Sequence, residues 1–172
     1  KGGDGFAALF TERAEALPLG DPRKPVPVVL GSVVGMGTVE HCNALIDDAL
    51  AKGAKLLCGG KADSTLMPAT VLDRVTPKMR IYHEETFGPL KCLVRVNGVE
   101  EAVRCANDNE YGLSSAVFGG DIARAFNVAR RIDSGICHVN GPTVHDEAQM
   151  PFGGVKGSGM GRFGGKAGVA EC

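Results

Sequence analysis

Apolar positions recur along this chain with two different periods, and the change from one to the other marks its organisation. Phe6, Leu9, Phe10, Ala14 and Leu17 fall three or four residues apart, the spacing of one helix face, and Pro18 ends the run. Pro22, Pro25 and Pro27 then exclude helix and predict an extended connector. Thr38 reads as the N-cap of a second helix, whose stripe Val39, Cys42, Ile46, Ala49 and Leu50 runs down to Gly53, a residue suited to a C-terminal cap. Past Gly53 the stripe gives way to short apolar runs bounded by Gly, Pro and Asp, so Ala54 to Cys58, Ala69 to Val75 and Leu90 to Val96 are predicted strands. Val99, Ala102, Val103 and Ala106 predict a third helix, Leu113 to Phe118 a strand, Ile122 to Ile132 a fourth helix capped by Asp121, and Ile136 to Val139 another strand. Strand and helix alternating in this way predict βαβ units with right-handed crossovers and a mostly parallel sheet covered by helices. Ligands of such sheets sit at the carboxyl ends of the strands.

Composition narrows the function classes. The 172 residues are enough for one domain with a real core, and no apolar run is long enough for a transmembrane helix, so no membrane partner is expected. Lys1-Gly2-Gly3-Asp4-Gly5 carries no apolar signal region, and the missing initiator Met leads us to expect a fragment. Nineteen basic against twenty acidic residues, without a basic stripe, speak against nucleic acid as a partner. The six cysteines, Cys42, Cys58, Cys92, Cys105, Cys137 and Cys172, are scattered without close pairs; they fit reduced thiols in a cytoplasmic protein, packed as small hydrophobes. His138 with His145 and Asp146 is the only grouping that hints at a metal. No third ligand has a motif behind it, so no metal is expected.

The stretch with the most chemistry is His83-Glu84-Glu85-Thr86-Phe87-Gly88-Pro89. Glu85 can accept two hydrogen bonds from a vicinal diol, Phe87 can lie against a flat ring, and Gly88-Pro89 fixes the direction of the chain afterwards. A nucleotide cofactor offers both the diol and the ring. On these residues alone, two solvated acids before a turn is the default reading. From Gly141 onward glycine becomes dense around Pro151-Phe152-Gly153-Gly154-Val155-Lys156-Gly157-Ser158-Gly159, but Phe152, Met160 and Phe163 punctuate it. It reads as an ordered loop whose backbone passes close to something. Gly159-Met160-Gly161-Arg162-Phe163-Gly164 matches the glycine spacing of a dinucleotide fingerprint, yet no predicted strand precedes it and no acid lies about twenty residues further on, so that reading is rejected.

Three stretches, Glu84 to Pro89, Asn107-Asp108-Asn109-Glu110-Tyr111-Gly112-Leu113-Ser114 and Pro151 to Gly159, together resemble the aldehyde dehydrogenase superfamily in content, order and spacing. The resemblance covers essentially the whole chain and falls on the C-terminal part of that family's catalytic domain. Within the family the chain looks most like enzymes acting on aromatic aldehydes such as benzaldehyde, salicylaldehyde or vanillin. The resemblance implies an α/β fold, a three-layer domain with a mostly parallel sheet covered by helices and incomplete at both ends. Residues 1–172 would be a partial catalytic domain, with the cofactor-binding domain and the C-terminal oligomerisation strand outside it. It further implies NAD or NADP as cofactor, a small-molecule aldehyde as substrate, and a full-length protein that is a homo-oligomer, dimer or tetramer.

In the family a cysteine thiolate attacks the aldehyde, hydride passes to the nicotinamide, and a glutamate-activated water releases the acid. By motif match Glu85 would hold the nicotinamide ribose and Phe87 the nicotinamide ring, while Thr143, Val144 and His145 stand where family members line the aldehyde tunnel. The family's Gly-Gln-x-Cys nucleophile motif and Glu-Leu-Gly-Gly base motif are both missing from these 172 residues. No catalytic residue is therefore assigned within the chain, and it is expected to be inactive alone. The family often carries a lysine on the second helix; His41 stands near that point and receives no role. A second reading, from a different class, is a non-catalytic binding or assembly module that docks through surface left bare.

Overall fold

The computed structural model describes residues 2–171, which form two compact units that divide between Arg95 and Val96. In the first unit α1 (Gly2–Glu15) and α2 (Met36–Ala51) accompany a three-stranded sheet of β1 (Lys55–Cys58), β2 (Thr70–Asp73) and β3 (Leu90–Leu93), with β2 in the middle. All four residues of β2 are buried, which is why this segment reads as a continuous apolar run and not as an alternating one. The core joins Val39, Cys42, Leu45, Ile46 and Ala49 of α2 to Met67, Leu72, Val75, Met79, Ile81 and Leu90. Each fully buried Leu, Ile or Met there contributes about 1.5–3 kcal/mol over exposure, so α2 is the most firmly anchored helix of the unit.

The ends of α2 differ from their sequence reading at one end only. Its N-cap is Gly35, extended at φ −177° and without a side-chain cap bond, and the Thr38 amide already donates to the Gly35 carbonyl at 3.1 Å. Thr38 therefore lies inside the first turn and does not cap it. At the other end Gly53 takes φ +97°, its N–H donates to the Leu50 carbonyl (3.1 Å), and the Ala54 N–H reaches back to Ala49 (2.9 Å). This is a Schellman closure, and glycine supplies the left-handed residue it requires.

The β2–β3 pairing is parallel, as predicted, but β1–β2 is antiparallel. Residues 59–69 are too few, and too rich in Gly, Pro and Asp, to build the covering helix that a parallel return needs. The connection from β2 to β3 also lacks a full helix and carries one 3-10 turn, Arg80–Tyr82. The second unit contains α3 (Val99–Asn107), β4 (Ser114–Val117), α4 (Ile122–Ala129), β5 (Ile136–Val139) and α5 (Gly165–Glu171). Here β4 and β5 run parallel and α4 is their crossover, the βαβ unit that the alternation predicts. Asp121 caps α4 by accepting from the Arg124 amide at 3.0 Å. Ala125 and Ala129, both buried, are the small residues on the inward side of α4. The glycine-containing α5 has no counterpart in the sequence reading, because glycine and the absence of an apolar stripe argue against helix.

A charge cluster ties the edges of the first unit together. Asp73, at the end of β2 and 4% exposed, receives two hydrogen bonds from the Arg95 guanidinium (2.8 and 2.7 Å) and one from the Arg74 amide (2.8 Å). Arg95 also reaches Asp4 of α1 at 3.1 Å. The Arg95 hydrogen bonds, opposed by desolvation, hold the Asp73 carboxyl below its ordinary range. A depressed folded value contributes stability that is complete above the unfolded carboxylate value near 4 and is lost as pH falls through the folded one. Asp73→Asn should therefore lower unfolding stability at pH 7 by about 2 kcal/mol. In urea titrations the difference from the parent chain should shrink as pH falls from about 4 toward the depressed folded value, below which the parent's Asp73 is also neutral.

Candidate functional site

The acids of the Glu84–Pro89 stretch are separated by what precedes them. The 3-10 turn Arg80–Tyr82 starts where Asp48 of α2 accepts the Arg80 amide at 2.9 Å, and the Arg80 side chain then closes on Glu84 with bonds of 2.6 and 2.8 Å. These bonds hold the Glu84 carboxyl below the usual range, so it stays ionised but occupied. His83 is also engaged: its Nε2 lies 3.0 Å from the Pro77 carbonyl and its ring meets Tyr82 edge-on at 4.7 Å. Of the two acids Glu85 is the exposed one, and among the described residues no side chain pairs with its carboxylate. The carboxylate pair seen in the sequence is thus one structural acid and one free acceptor.

The backbone beyond Glu84 is held by α2. His41 Nε2 lies 2.9 Å from the Glu85 carbonyl, and the Cys42 thiol donates to the Thr86 carbonyl at 3.3 Å. Phe87 follows in the left-handed region at φ +47°, rare for a bulky residue, with its side chain 74% exposed. Gly88 is required by proximity, because a Cβ there would stand 2.7 Å from Cys42 Sγ. Pro89 hands the chain to the sheet, its carbonyl accepting the Thr70 amide at 2.8 Å. Glu85 to Pro89, with Leu30, Gly31, Val33 and Lys91, line an open cavity of about 510 Å³. Since Thr70 pairs with Leu90, this cavity stands at the amino ends of β2 and β3 and not at the carboxyl ends expected from strand–helix alternation. Its outward presentation comes from the grip of α2 and the strain at Phe87, neither of which the alternation encodes.

In the second unit the other two motifs meet each other. Lys156, at φ +55°, donates from Nζ to the carbonyls of Asn107 (2.9 Å) and Asn109 (3.2 Å) at the end of α3. Gly157 N–H donates to Glu110 O (2.8 Å), Val155 N–H to Gly112 O (2.9 Å), and the Gly112 N–H donates to Ser158 Oγ (2.9 Å). Asn107 also bridges to the segment after α4, donating to Arg131 O and accepting from the Asp133 amide, both at 2.8 Å. A Cβ on Gly112 would lie 2.7 Å from Val155 and 2.8 Å from the Asp133 carbonyl, and one on Gly135 would overlap the Gly153 carbonyl. What the glycine-rich backbone passes close to is therefore the chain itself.

Thr143, Val144 and His145 lie on an exposed loop of this second unit. Ser114 Oγ holds the Thr143 carbonyl at 2.8 Å, Val144 is 89% exposed, and His145 Nε2 is 3.7 Å from Glu147. The rings of His138 and His145 approach at 6.4 Å. Among the described residues no group of three His, Cys, Asp or Glu side chains could hold a metal ion. Five cysteines are free among those residues, and burial raises the thiols of Cys42, Cys58 and Cys92, keeping them protonated and poorly nucleophilic.

The comparisons with known proteins agree with these motifs. The profile of the Aldehyde dehydrogenase family matches residues 3–172. The chain belongs to the aldehyde dehydrogenase family. Vanillin dehydrogenase of Pseudomonas fluorescens is 52% identical over 166 residues, 96% of this chain and 34% of the relative. Salicylaldehyde dehydrogenase of Pseudomonas putida is 51% identical over 168 residues, 98% of this chain and 35% of the relative. The crystal structure of a salicylaldehyde dehydrogenase from Pseudomonas putida G7, complexed with salicylaldehyde, superposes with a TM-score of 0.94 at 50% identity, covering 98% of this chain and 35% of that one. The aldehyde dehydrogenase fold is thereby established, and the chain spans about a third of the length of the curated relatives it matches. Solved members of the family hold NAD+ or NADP. No helix among the described residues is long and apolar enough to cross a membrane.

His41 and Cys42 are the residues that sequence reading leaves out of the site, because both contacts cross 44 positions and neither has a local signature. For Glu84 a signal exists: Arg80 stands four residues before it, the spacing of a local ion pair. The packing of the second unit makes a sharp forecast. Gly135→Ala should cost at least about 3 kcal/mol, since the obstacle is backbone and cannot rotate away. Gly120→Ala, where a Cβ meets nothing within 4 Å, should stay within about 0.5 kcal/mol of the parent in the same thermal or urea unfolding series.

Proposed function

We propose that this chain supplies the nicotinamide-holding part of an NAD(P)-dependent aldehyde dehydrogenase that oxidises an aromatic aldehyde to its acid. The observation that carries the reading is a free carboxylate, Glu85, two residues from a strained and exposed aromatic ring, Phe87, on the wall of one cavity. Acceptor and ring suit the two ends of a nicotinamide riboside: Glu85 would take the ribose hydroxyls and Phe87 would bear on the ring. The cavity volume of about 510 Å³ is ample for that group. When bound, the cofactor supplies the hydride acceptor. The chain's own contribution is to orient it, with Glu85 fixing rotation of the ribose and Phe87 limiting the ring's approach to one face.

Thr143, Val144 and His145 would border the path of the aldehyde; their exposure and the Ser114 anchor on Thr143 suit a binding loop on a fixed base. The aromatic substrate class rests on the identity of half or more to vanillin and salicylaldehyde dehydrogenases. Nucleophile and general base are placed outside these 172 residues, which accords with burial holding three of the thiols protonated. Free thiols suit a cytoplasmic protein. A second reading, an assembly module, is favoured by exposed Phe118, Ile122 and Phe126 on and beside α4, and by the homo-oligomer, dimer or tetramer, proposed for the full-length protein.

Titration with reduced nicotinamide mononucleotide tests the first reading. Binding to the parent chain should weaken at least tenfold in Glu85→Gln, as expected for loss of charge-assisted hydrogen bonds of about 1.5–3 kcal/mol, and also in Phe87→Ala. Equal binding by Glu85→Gln and the parent would remove the assignment. Incubated with benzaldehyde and NAD, the chain should form no NADH, and robust turnover would refute its inactivity alone. Sedimentation over a wide concentration range separates the second reading: concentration-dependent association that Phe126→Ser abolishes would support it, and a strict monomer would count against it.

A further inference from the structure

Glu85 and Phe87 do not hold themselves in place. The Glu85 carboxylate has no side-chain partner among the described residues, and Phe87 keeps φ +47°, a conformation that a bulky residue retains only where its surroundings enforce it. The surroundings that enforce it are on α2. Consecutive carbonyls, Glu85 O and Thr86 O, end on consecutive side chains, His41 Nε2 at 2.9 Å and Cys42 Sγ at 3.3 Å. Cys42 is fully buried and its sulfur also occupies the space beside Gly88, where a Cβ would stand 2.7 Å away. Two turns further along α2, Asp48 fixes the Arg80 amide at 2.9 Å, so the approach to the stretch is set by the same helix.

We propose that His41 and Cys42 are positioning residues for the nicotinamide clamp, acting through the Glu85 and Thr86 carbonyls to aim the Glu85 carboxylate and the Phe87 ring into the cavity. The proposal rests on reading that cavity as the nicotinamide site. Neither side chain needs to touch the ligand. Fixing two successive carbonyls sets the orientation of the peptide planes on both sides of Thr86, and with them the directions in which residues 85 and 87 leave the backbone. His41 donates from Nε2 to the Glu85 carbonyl, a contact that needs only an N–H donor at that place. Glutamine, whose amide nitrogen is also a donor at the end of a side chain, can replace it in that role, whereas leucine cannot.

Binding of reduced nicotinamide mononucleotide to the 172-residue chain, followed by the amide shifts of residues 85–88, tests this. His41→Leu should weaken binding at least fivefold, His41→Gln should recover it to within about twofold, and both should stay folded with a thermal midpoint within about 4 °C of the parent's, because His41 lies outside the buried core. Glu85→Gln combined with His41→Leu should bind little worse than Glu85→Gln alone, since His41 acts through Glu85. If His41→Leu binds like the parent while Glu85→Gln does not, the positioning role is wrong and the clamp stands. If His41→Gln is as weak as His41→Leu, His41 meets the ligand directly and the positioning role is again wrong. If Glu85→Gln binds like the parent, the clamp reading itself falls. Should His41→Leu fail to fold, Cys42→Ala removes the neighbouring carbonyl contact and carries the same expectation of weakened binding.

Discussion

The presentation of Glu85 and Phe87 depends on one helix face holding one non-repetitive stretch of backbone. Residues 84–89 have no strand partner of their own until Pro89 meets Thr70, and a carboxylate and a phenyl ring exposed on such a stretch would ordinarily point in many directions. α2 removes that freedom at the Arg80 amide, the Glu85 carbonyl and the Thr86 carbonyl. The magnitudes show why a buried helix is needed. A left-handed phenylalanine costs about 1–3 kcal/mol, and two neutral hydrogen bonds return about 1 kcal/mol each, less for a thiol donor. The local contacts roughly balance the strain and no more. The surplus must come from the packing of Val39, Cys42, Leu45, Ile46 and Ala49, which fixes α2 before it fixes anything else.

The same division of labour explains why the two acids of the stretch differ. Arg80 is committed at its amide to Asp48 and at its guanidinium to Glu84, and the pair Asp48–Lys52 adds a second ion pair along α2. Glu84 is thus part of the frame. Glu85 projects from the next position with its carbonyl engaged and its carboxylate free, so the main chain is rigid while the acceptor is available. A free acceptor on a rigid support costs little to organise when a ligand arrives.

Much of this was legible in the sequence, and the rest was hidden for identifiable reasons. The periodic stripes of α2, α3 and α4 and the apolar runs of β2, β3 and β5 stand where the pattern puts them, because burial of one face leaves a periodic trace. Glu85 and Phe87 could be singled out because a carboxylate, a ring and a Gly-Pro exit in one short stretch are unusual on a surface. The grip of His41 and Cys42 could not, since a histidine and a cysteine on an amphipathic helix look the same whether or not a loop 44 residues away ends on them. The antiparallel β1–β2 pair was readable in principle from the helix-poor segment 59–69, but strand–helix alternation further along the chain suggested the opposite. Thr38 misleads because a threonine ahead of an apolar stripe usually caps, whereas here the extended Gly35 starts the helix earlier.

The glycine-rich end shows how a spacing can be satisfied for reasons unrelated to its best-known use. Gly159, Gly161 and Gly164 all have positive φ, and they match the interval of a dinucleotide fingerprint. In that fingerprint the glycines let a backbone approach a pyrophosphate after a strand and before a long helix. Here a Cβ on Gly161 would lie 2.8 Å from Glu171 Oε2, one on Gly164 would collide with the Met150 carbonyl, and one on Gly153 with the Gly161 carbonyl. The flanking residues make the same point, because Phe152 and Phe163 pair through their backbones and pack their rings at 5.1 Å. Gly153, Gly161 and Gly164 are each accounted for by a neighbour in the same unit, with Lys156 and Ser158 completing the contacts to residues 107–112. A stretch whose close approaches are already filled by its own chain has no need of a phosphate to explain them, and its motif marks packing of the second unit, not a second cofactor cradle.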